Sequence, residues 1–425
     1  MDSRNSCNAW RRSTSTMQMS LTRRAAAAAS VLVGRDAAAQ GRPVKVGLLE
    51  DVSGDLALSG IPKLHGSILA AEEINRGGGV LGRPIELLHL DPQGDNARYQ
   101  EFARRLLQRD KVDVLVGGIT SASREAIRQL ARRAGTFYFY TNQYEGGVCD
   151  ANMVSTGAVP EQQFSTLIPY MAEKFGKRVY TIAADYNFGQ LSAEWTRTLM
   201  KELGGAVIGQ EFIPLGVSQF AQTVQNIQRA RPDWVMCLNV GAAQDSFFEQ
   251  AAAAGLNLPM GSSIKIMLGF EHKRFAPPAL KNMHAVANWF EELDTPAAQD
   301  FKRRWRARWP DETYINDMGY NAYVTLHLYK TLVERAKSFD KAAIRKVIAA
   351  GNAAIDAPEG RVTIDPASQH LSHHMRMVSV NDRHEVAVLK DFGEIKPYWL
   401  GQVGCDLTKR DDNEQYSPSN LPRKS

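Results

Sequence analysis

Two serines stand at the start of a predicted helix, directly after a short apolar strand. The segment from Gly117 to Ser123 reads Gly-Gly-Ile-Thr-Ser-Ala-Ser, and its glycines let the backbone turn tightly. Ser121 or Ser123 can cap the helix, and a plain cap is the alternative interpretation. The unpaired amide hydrogens and the dipole of a helix start attract a carboxylate or a carbonyl oxygen. The place at the end of a strand favours ligand contacts for Ser121 and Ser123.

A second polar loop follows the next apolar strand. It reads Tyr-Thr-Asn-Gln-Tyr-Glu-Gly-Gly from Tyr140 to Gly147, so that the amides of Asn142 and Gln143 lie between two tyrosines. Amide side chains both donate and accept hydrogen bonds, which suits a small polar ligand. An ordinary polar loop is the alternative interpretation.

Loops in the second half of the chain follow apolar strands in the same way. They supply the candidate ligand contacts Asp185, Tyr186, Phe188, Asn239, Gly241 and Glu271. Asp185 offers a carboxylate to a cationic or N–H-bearing group, and the aromatic pair beside it offers walls for stacking. Gly241 would let the backbone approach a ligand closely. Glu271 and His272 are either ligand contacts or hinge hydrogen-bonding groups, and a structural role is favoured for His272.

The glycines at positions 77, 79 and 82 spell the Gly-x-Gly-x-x-Gly fingerprint of dinucleotide binding. That fingerprint has to follow a strand and open a helix, whereas residues 72–76 end a predicted helix and Pro84–Leu90 is the next strand. Because this order is reversed, we interpret the glycines as a helix stop and a turn, and we expect no nucleotide cofactor.

Histidines at positions 370, 373 and 374 have a spacing that can hold a metal. No cysteine or carboxylate pattern completes a closed site around them, so we expect no metal. The sequence also lacks the Gly-x-Ser-x-Gly, His-Glu-x-x-His and P-loop motifs. The adjacent Glu291 and Glu292 would point to opposite sides of an extended strand. These observations argue against an enzyme.

The candidate loops lie in a regular alternation of strands and helices. The first unit has predicted strands at Val44–Leu49, Pro84–Leu90, Val112–Val116 and Phe137–Tyr140, with helices at Pro62–Arg76, Asn96–Arg109 and Ser123–Ala134. The second unit, joined near residues 155–165, has predicted strands at Arg178–Ala184, Ala206–Phe212, Trp234–Val240, Lys265–Leu268 and Ala285–Phe290, with helices at Gln190–Leu203, Ser218–Ala230 and Gln244–Ala254. Further helices are predicted at Ala297–Arg308, Asp317–Ala336 and Lys341–Ala350, and strands within Gly360–Lys390. This pattern is typical of parallel sheets whose strand ends face a ligand crevice, and two such units can close around a ligand.

The charge of the chain is concentrated at its N-terminus. The 425 residues carry a net charge of +5, but residues 1–39 hold six Arg and two Asp, which leaves 45 basic and 44 acidic side chains. A near-neutral body gives no electrostatic reason to expect nucleic acid or an anionic membrane surface. Arg23 and Arg24 precede the apolar run Ala25–Gly34, and Ala37–Ala39 follows, which predicts a signal peptide cleaved after Ala39. Sec and twin-arginine export both stay open.

Four cysteines occur, at positions 7, 149, 237 and 405. Cys7 would leave with the signal peptide, and Cys237 lies in an apolar strand pattern typical of a buried thiol. Cys149 and Cys405 both lie in polar loop sequence. Their pairing in an oxidising compartment is a hypothesis.

The chain resembles the type I periplasmic solute-binding proteins of ABC importers, a group that includes leucine/isoleucine/valine-binding and urea- or short-amide-binding proteins. The residues that carry the resemblance at the start are Lys45-Val-Gly-Leu-Leu49, Ser53-Gly54, Ala71-Glu-Glu-Ile-Asn75, Gly78-Gly79 and Gly82. The segments that look like the urea and short-amide branch are Gln143-Tyr-Glu-Gly146, Asp294-Thr-Pro296, Asp356-Ala-Pro-Glu-Gly360 and Val362-Thr-Ile-Asp365. The resemblance runs from about Val44 to Phe392.

The resemblance implies roles for the candidate residues. Ser121 falls where a serine and nearby backbone amides hold the polar head of the ligand, and the loop from Tyr140 forms the second contact. Tyr186 and Phe188 match an aromatic clamp, and the loop at Asn239 and Gly241 completes the pocket. Asp185 or Glu271 would pair with an α-ammonium group, whereas the amides at 142 and 143 favour a neutral ligand.

The resemblance also implies an architecture and a function. We expect an α/β fold of two Rossmann-like lobes with parallel sheets, connected by a hinge and separated by a ligand cleft. The expected boundaries are residues 1–39 for the signal peptide, 43–158 plus 292–355 for the first lobe, 159–290 plus 356–395 for the second, and 396–425 for a surface tail. The function implied is that of a periplasmic, non-enzymatic receptor. It would deliver urea, a short amide or an amino acid to ABC permease subunits in the inner membrane. A sensory or regulatory binding protein of the same fold is the alternative.

Overall fold

A computed structural model describes residues 41–263 and 275–418 of the chain. The predicted signal peptide, the predicted strand at 265–268, and the candidates Glu271 and His272 lie outside the described residues. Every element below belongs to the unit Pro43–Ser425.

The first lobe is built on a sheet of five parallel strands in the order β2-β1-β3-β4-β6. Its strands are β1 (Val44–Leu49), β2 (Ile85–Leu90), β3 (Val114–Gly117), β4 (Phe137–Tyr140) and β6 (Met153–Ser155). Every residue of β3, β4 and β6 is buried. Burial on both faces explains why these strands are continuously apolar rather than alternating.

The second lobe contains a sheet of seven strands in the order β15-β14-β11-β10-β9-β7-β8. Its strands are β7 (Arg178–Ala184), β8 (Ala206–Ile213), β9 (Trp234–Leu238), β10 (Met260–Ser262), β11 (Met283–Ala287), β14 (His373–Val380) and β15 (Val386–Ile395). The five strands β7 to β11 pair in parallel, whereas β14 and β15 are antiparallel additions at the β11 edge. The α/β fold with parallel sheets in two lobes is therefore confirmed.

Helices cover the faces of both sheets. In chain order the described helices are α1 (Ala57–Arg76), α2 (Asn96–Arg104), α3 (Ser121–Ala134), α4 (Pro160–Phe175), α5 (Asn187–Glu202), α6 (Ala221–Ala230), α7 (Ala242–Ala253), α8 (Pro296–Arg308), α9 (Asp317–Ala336), α10 (Lys341–Ala349) and α11 (Trp399–Gln402). The core of the first lobe joins β1 and β3 to α1, α8 and α9, and the core around α4 and α5 lies in the second lobe.

Helices α1 and α9 approach each other closely at a pair of glycines. A Cβ atom on Gly66 would lie 2.0 Å from the carbonyl oxygen of Gly319, and one on Gly319 would lie 2.8 Å from the carbonyl oxygen of Pro62. Any larger side chain at Gly66 would therefore push the helices apart. This contact matters for the site because Ser59 on α1 and Met318 on α9 both line the cavity described below.

The structure differs from the sequence-based prediction in two segments that connect the lobes. The segment near 155–165 was predicted only as a junction, but it contains the start of α4, whose Gln162 and Gln163 are buried. Residues 356–371, expected in the second lobe, instead contribute Val362 and Leu371 to the core of the first. Within them, the hairpin of β12 (Ala354–Ala357) and β13 (Gly360–Thr363) pairs antiparallel.

The expected surface tail from residue 396 is in fact packed onto the body. Trp399 is fully buried, and Cys405 is joined to Cys149 by a disulfide with the Cα atoms 5.9 Å apart. Strand β16 (Asn413–Gln415) pairs antiparallel with β5 (Val148–Asp150), which directly follows the polar loop after β4. A chain end that looks polar in sequence is thus held by a cross-link and a two-stranded sheet.

We predict that replacing Cys149 and Cys405 together by serine lowers the free energy of unfolding by about 2–4 kcal/mol. A disulfide that closes a long loop restricts the unfolded chain, and this one spans a sequence separation of 256 residues. Urea denaturation with and without reductant would measure the effect. The wild type should lose stability when reductant is present and the double variant should not respond. Identical curves for the oxidised wild type and the variant would contradict the prediction.

One buried carboxyl group at the start of α9 has no ion-pair partner among the described residues. Asp317 is 1% exposed, and burial raises its pKa from 3.8 to about 8, against a lowering by backbone hydrogen bonds from Met318 and from its own amide. Between about pH 4 and pH 8 the folded state therefore retains a proton that the unfolded state releases. The free energy of unfolding should fall as the pH rises through this window.

We predict that Asp317→Asn becomes more stable relative to the wild type as the pH rises from 5 to 8, by up to about 1.4 kcal/mol per pH unit. Asparagine has no charge to bury, so it removes this contribution. Burial also raises the pKa values of Glu50 and Glu161 to about 7, but both groups are present in each protein and cancel in the comparison. Urea denaturation at several pH values would measure the difference. The exposed Asp311→Asn is the matched control, and a pH-independent difference for Asp317→Asn would refute the prediction.

Candidate functional site

The turn between β3 and α3 brings a helix start to the edge of the first sheet. Gly117 has φ +127°, and a Cβ atom there would lie 2.4 Å from the carbonyl oxygen of Leu49. Thr120 caps the helix, with its hydroxyl oxygen accepting a hydrogen bond from the amide of Ser123 at 3.1 Å. The amides of Ser121 and Ala122, the first two residues of α3, have no acceptor within the helix. They are available to an acceptor outside it.

The hydroxyl group of Ser121 is oriented by a buried carboxylate. Ser121 Oγ donates to Oε2 of Glu145 at 2.6 Å, and the same carboxylate pairs with Arg124 Nη2 at 3.0 Å. Both charged side chains are 0% exposed. Burial by itself would lower the pKa of Arg124, but the carboxylates of Glu145 and Glu125 raise it above its usual value. Arg124 therefore keeps its charge beneath the site.

The loop after β4 is fixed by one carbonyl group of the neighbouring turn. The carbonyl oxygen of Ile119 accepts hydrogen bonds from Tyr140 Oη and from Asn142 Nδ2, each at 2.8 Å. Oδ1 of Asn142 is buried and has no hydrogen-bond partner in the described part of the chain. Gly157 packs against this loop so tightly that a Cβ atom would lie 2.0 Å from the carbonyl carbon of Asn142.

Gln143 connects this loop to the second lobe. Its Oε1 accepts a hydrogen bond from Nε2 of Gln163 on α4 at 3.0 Å, and the same nitrogen donates to the carbonyl oxygen of Val286 on β11 at 3.0 Å. Gln163 therefore ties the loop after β4 to the second sheet through two hydrogen bonds from one amide nitrogen.

The opposite wall is apolar and comes from both lobes. Tyr186 and Phe188 lie at the start of α5 with ring centroids 6.1 Å apart. Phe188 packs with Met318 of α9, and Tyr186 and Val240 complete this small cluster. The wall therefore combines the second sheet's strand-end loops with a helix of the first lobe.

These elements enclose one cavity of about 300 Å³. Its lining residues are Gly54, Asp55, Leu56, Leu58, Ser59, Ile119, Thr120, Ser121, Tyr140, Asn142, Gln143, Tyr186, Phe188, Val240, Gly241, Ala242, Asp245 and Met318. The lining includes two carboxylates, Asp55 and Asp245, and within the described ranges it includes no lysine or arginine. A volume of this size suits a small organic solute.

Not all of the predicted site residues line the cavity. Ser121, Tyr140, Asn142, Gln143, Tyr186, Phe188 and Gly241 do. Ser123 is instead engaged in the turn, since its Oγ donates to the carbonyl oxygen of Thr120 at 2.8 Å and accepts from the amide of Ile119 at 3.1 Å. The prediction that Ser121 or Ser123 caps the helix is wrong, because the cap is Thr120. Asp185 is exposed and accepts a hydrogen bond from Gln190. Asn239 is fully buried outside the lining, and neither of its polar atoms has a hydrogen-bond partner among the described residues.

Sequence reasoning missed several lining residues. The loop from Gly54 to Ser59 follows β1 just as the recognised loops follow β3 and β4, so its position after a strand was the available signal. Asp245 lies on the first turn of α7, a helix that begins directly after Gly241, which was predicted from the sequence as a candidate contact. Met318 had no signal, because only the packing of α9 brings it to the cavity. Glu145 was included in the sequence analysis only within the segment Gln143–Gly146 that carries the family resemblance, and its contact with Ser121 was not predicted.

Two of the clustered histidines, His370 and His373, form hydrogen bonds with buried side chains of the protein. His370 Nε2 lies 2.5 Å from the hydroxyl of Tyr144, and His373 Nδ1 lies 3.0 Å from Oε1 of Glu359. Burial lowers the pKa of His370 to about 4, so it is neutral at physiological pH. Within the described ranges no group of three or more His, Cys, Asp or Glu side chains is arranged to hold a metal. None of the described helices has both the length and the apolar character needed to cross a membrane.

Comparison with known proteins gives relatives along most of the chain. Residues 43–385 match the model of a family described as periplasmic binding protein. The Leu/Ile/Val-binding protein homolog 7 of Brucella suis biovar 1 (strain 1330) is 26% identical over 402 residues, which cover 88% of this chain and 98% of that protein.

Two solved structures have a similar fold. One is a leucine-, isoleucine-, valine-, threonine- and alanine-binding protein from Brucella ovis in a closed conformation, with a TM-score of 0.76 and 20% identity, covering 84% of this chain and 97% of that one. The other is a solute-binding protein of an ABC transporter from R. palustris in complex with benzoate, with a TM-score of 0.73 and 22% identity, covering 84% and 98%. The family match spans well over half of the sequence, and the chain belongs to the periplasmic binding protein family.

Proposed function

We propose that this chain is the solute-binding component of an ABC importer and that it captures a small solute bearing N–H groups in the cavity between its lobes. The candidates are an α-amino acid or a short aliphatic amide. The family match, the Leu/Ile/Val-binding relative and the transporter protein with a similar fold support the transport role. The basic and apolar start of the sequence supports export to the periplasm, where permease subunits in the inner membrane would receive the solute.

The observation that carries the ligand class is Oδ1 of Asn142, which is buried and has no hydrogen-bond partner within residues 41–263 and 275–418. A buried acceptor without a donor is costly, so a ligand that supplies an N–H group gains a favourable hydrogen bond. The hydroxyl groups of Ser121 and Tyr140 also donate their hydrogens to protein acceptors and offer only lone pairs to the cavity. The carboxylate of Asp55 adds a further acceptor at the lining.

Hydrogen-bond donors for the ligand are available at the start of α3. The amides of Ser121 and Ala122 can donate to the carboxylate of an amino acid or to the carbonyl oxygen of an amide. The apolar wall of Phe188 and Met318 gains from an aliphatic group, since each CH₂ removed from water contributes about 0.8 kcal/mol. Urea carries no such group, so we rank it below amino acids and aliphatic amides.

We further propose that the lobes close on the solute. In the described chain, four segments pass between the lobes, at residues 156–159, 288–295, 364–372 and 403–412, and the first three would act as the hinge. Closure excludes water and strengthens each hydrogen bond to the ligand. A sensory or regulatory protein of the same fold is a weaker alternative, because solved proteins of similar fold are substrate-binding proteins of ABC transporters.

An aromatic carboxylate is the second candidate ligand class. The R. palustris protein with a similar fold was solved with benzoate, and the rings of Tyr186 and Phe188 would suit an aromatic ligand. The acceptor-rich side of the cavity disfavours it, because benzoate has no N–H group and its negative charge is repelled by acceptor oxygens.

We expect a thermal-shift and calorimetry screen to find ligands among leucine, isoleucine, valine and short amides such as isobutyramide. A ligand at about 100 times its Kd adds about 2.7 kcal/mol to the stability of the folded state. Urea, benzoate and 4-hydroxybenzoate complete the panel. Binding of only the benzoates would overturn the N–H assignment and leave the transport role standing. Turnover of an amide would instead contradict the non-enzymatic function.

We predict that Tyr186→Ala weakens ligand binding by about 1–3 kcal/mol, the range for losing the burial of a side chain of this type. The ring forms part of the cavity wall, so its loss leaves the ligand more exposed to water. Isothermal titration with the best ligand of the panel would measure the change. Tyr398→Ala is the matched control, because Tyr398 is 45% exposed and lies outside the lining. Unchanged affinity in Tyr186→Ala would remove this ring from the site.

A further inference from the structure

Glu145 lies behind the cavity wall and contacts a lining residue. It does not itself line the cavity, and its side chain is 0% exposed. One carboxylate oxygen accepts the hydrogen of Ser121 Oγ at 2.6 Å. The other accepts from Arg124 Nη2 at 3.0 Å and from Gln415 Nε2 of β16 at 3.3 Å. The carboxylate thus stands between a cavity-lining serine, a buried cation and the C-terminal strand.

This arrangement fixes the direction of one hydrogen bond. An ionised carboxylate can only accept, whereas a serine hydroxyl has a single hydrogen and can point it either way. The charge-assisted bond to Glu145 is stronger than a bond to a neutral acceptor, so the hydrogen of Ser121 is directed away from the cavity. What Ser121 Oγ presents to a ligand is therefore a pair of lone pairs.

We infer that Glu145 is a specificity-determining positioning residue, which makes the Ser121 hydroxyl select an N–H group of the ligand and leaves ligand oxygens to the backbone amides at the start of α3. This inference rests on the proposed function and deepens it. Glu145 acts through Ser121, and the neighbouring lining residue Asn142 carries a buried Oδ1 that has no hydrogen-bond partner in the described part of the chain. Without Glu145 the serine hydroxyl would be free to donate to an oxygen, and the preference of the cavity for nitrogen would be reduced.

The central variant is Glu145→Gln. The new amide nitrogen can donate to Ser121 Oγ, which frees the hydroxyl hydrogen to turn towards the cavity. Arg124 keeps a carboxylate partner, because its Nε also lies 3.0 Å from Glu125 Oε1. The side chain keeps its size, so the packing around it is preserved.

Selectivity is the quantity to measure, using two pairs of ligands of similar shape. Leucine is compared with 4-methylpentanoate, which lacks the ammonium group, and isobutyramide with isobutyrate, which replaces the NH₂ group by an oxygen. The wild type should prefer the nitrogen-bearing member of a pair. In Glu145→Gln this preference, expressed as the ratio of the two Kd values, should fall by about tenfold or more, since a hydrogen bond to the preferred ligand is lost. A purely structural role would weaken both members alike and leave the ratio unchanged.

Two further variants keep the test decisive if Glu145→Gln folds poorly. Ser121→Ala removes the hydroxyl but retains the ion pair of Glu145 and Arg124, and it should lower the same ratio. Adding Glu145→Gln to Ser121→Ala should then have no further effect on the ratio, because the serine is the only route by which Glu145 acts. Gln415→Ala is the matched control, since it removes another contact of Glu145 and leaves Ser121 unchanged.

The outcomes separate this inference from the proposed function. If the wild type binds neither leucine nor isobutyramide, the proposed ligand class fails and the inference fails with it. If the wild type binds one of them with a clear preference over its acid, but Glu145→Gln and Ser121→Ala keep the wild-type ratio, the inference alone is overturned. A reduced ratio in both variants and an unchanged ratio in Gln415→Ala would support it.

Discussion

The carbonyl oxygen of Ile119 accepts two hydrogen bonds of 2.8 Å, one from the hydroxyl of Tyr140 and one from the amide of Asn142. Ile119 belongs to the turn that opens α3, and its two donors belong to the loop after the adjacent strand. The two loops are thereby held in a fixed relation, and the polar side of the cavity depends on it. The same bonds engage the hydroxyl hydrogen of Tyr140 and one amide hydrogen of Asn142, and the Oδ1 of Asn142 has no partner among the described residues.

Buried polar groups at the start of α4 join this loop to the rest of the molecule. Gln163 reaches Gln143 and the second sheet, and Gln162 donates to the carbonyl oxygens of Leu371 and Ile395 at 2.9 Å each. Buried amides that satisfy several backbone oxygens are costly to rearrange, so they define the junction between the lobes. A region that reads as a polar linker is thus one of the most constrained parts of the fold.

The C-terminal segment supports the site from behind. Asp150 on β5 accepts hydrogen bonds from Arg128 at 2.8 Å and from Arg132 at 3.1 Å, and β16 pairs with the same strand. The disulfide between Cys149 and Cys405 lies beside this network. Buried ion pairs contribute little net stability by themselves but are strongly destabilising when one partner is removed. Their value here is the fixed position of α3, which carries Ser121 and Arg124 at its start.

The sequence by itself determined the alternation of strands and helices and the loops that matter. Parallel strands end at one edge of a sheet, so residues after β3 and β4 had to meet, as Ser121, Tyr140 and Asn142 do at the cavity. Strand β4 and helix α9 have the bounds that the apolar pattern predicts. The family was also recognisable, whereas the urea and short-amide branch stays a prediction.

Only the tertiary structure decided which polar atoms face the ligand and in which direction they bond. Met318 comes to the cavity because α1 and α9 pack at Gly66, a contact between segments more than 250 residues apart. Ser123, two residues after Ser121, bonds to the backbone of the turn instead, since nearby helix residues point in different directions. The orientation of the Ser121 hydroxyl depends on Glu145, a group that the chain places behind the wall. Such relations depend on distances between side chains, and local sequence patterns do not encode them.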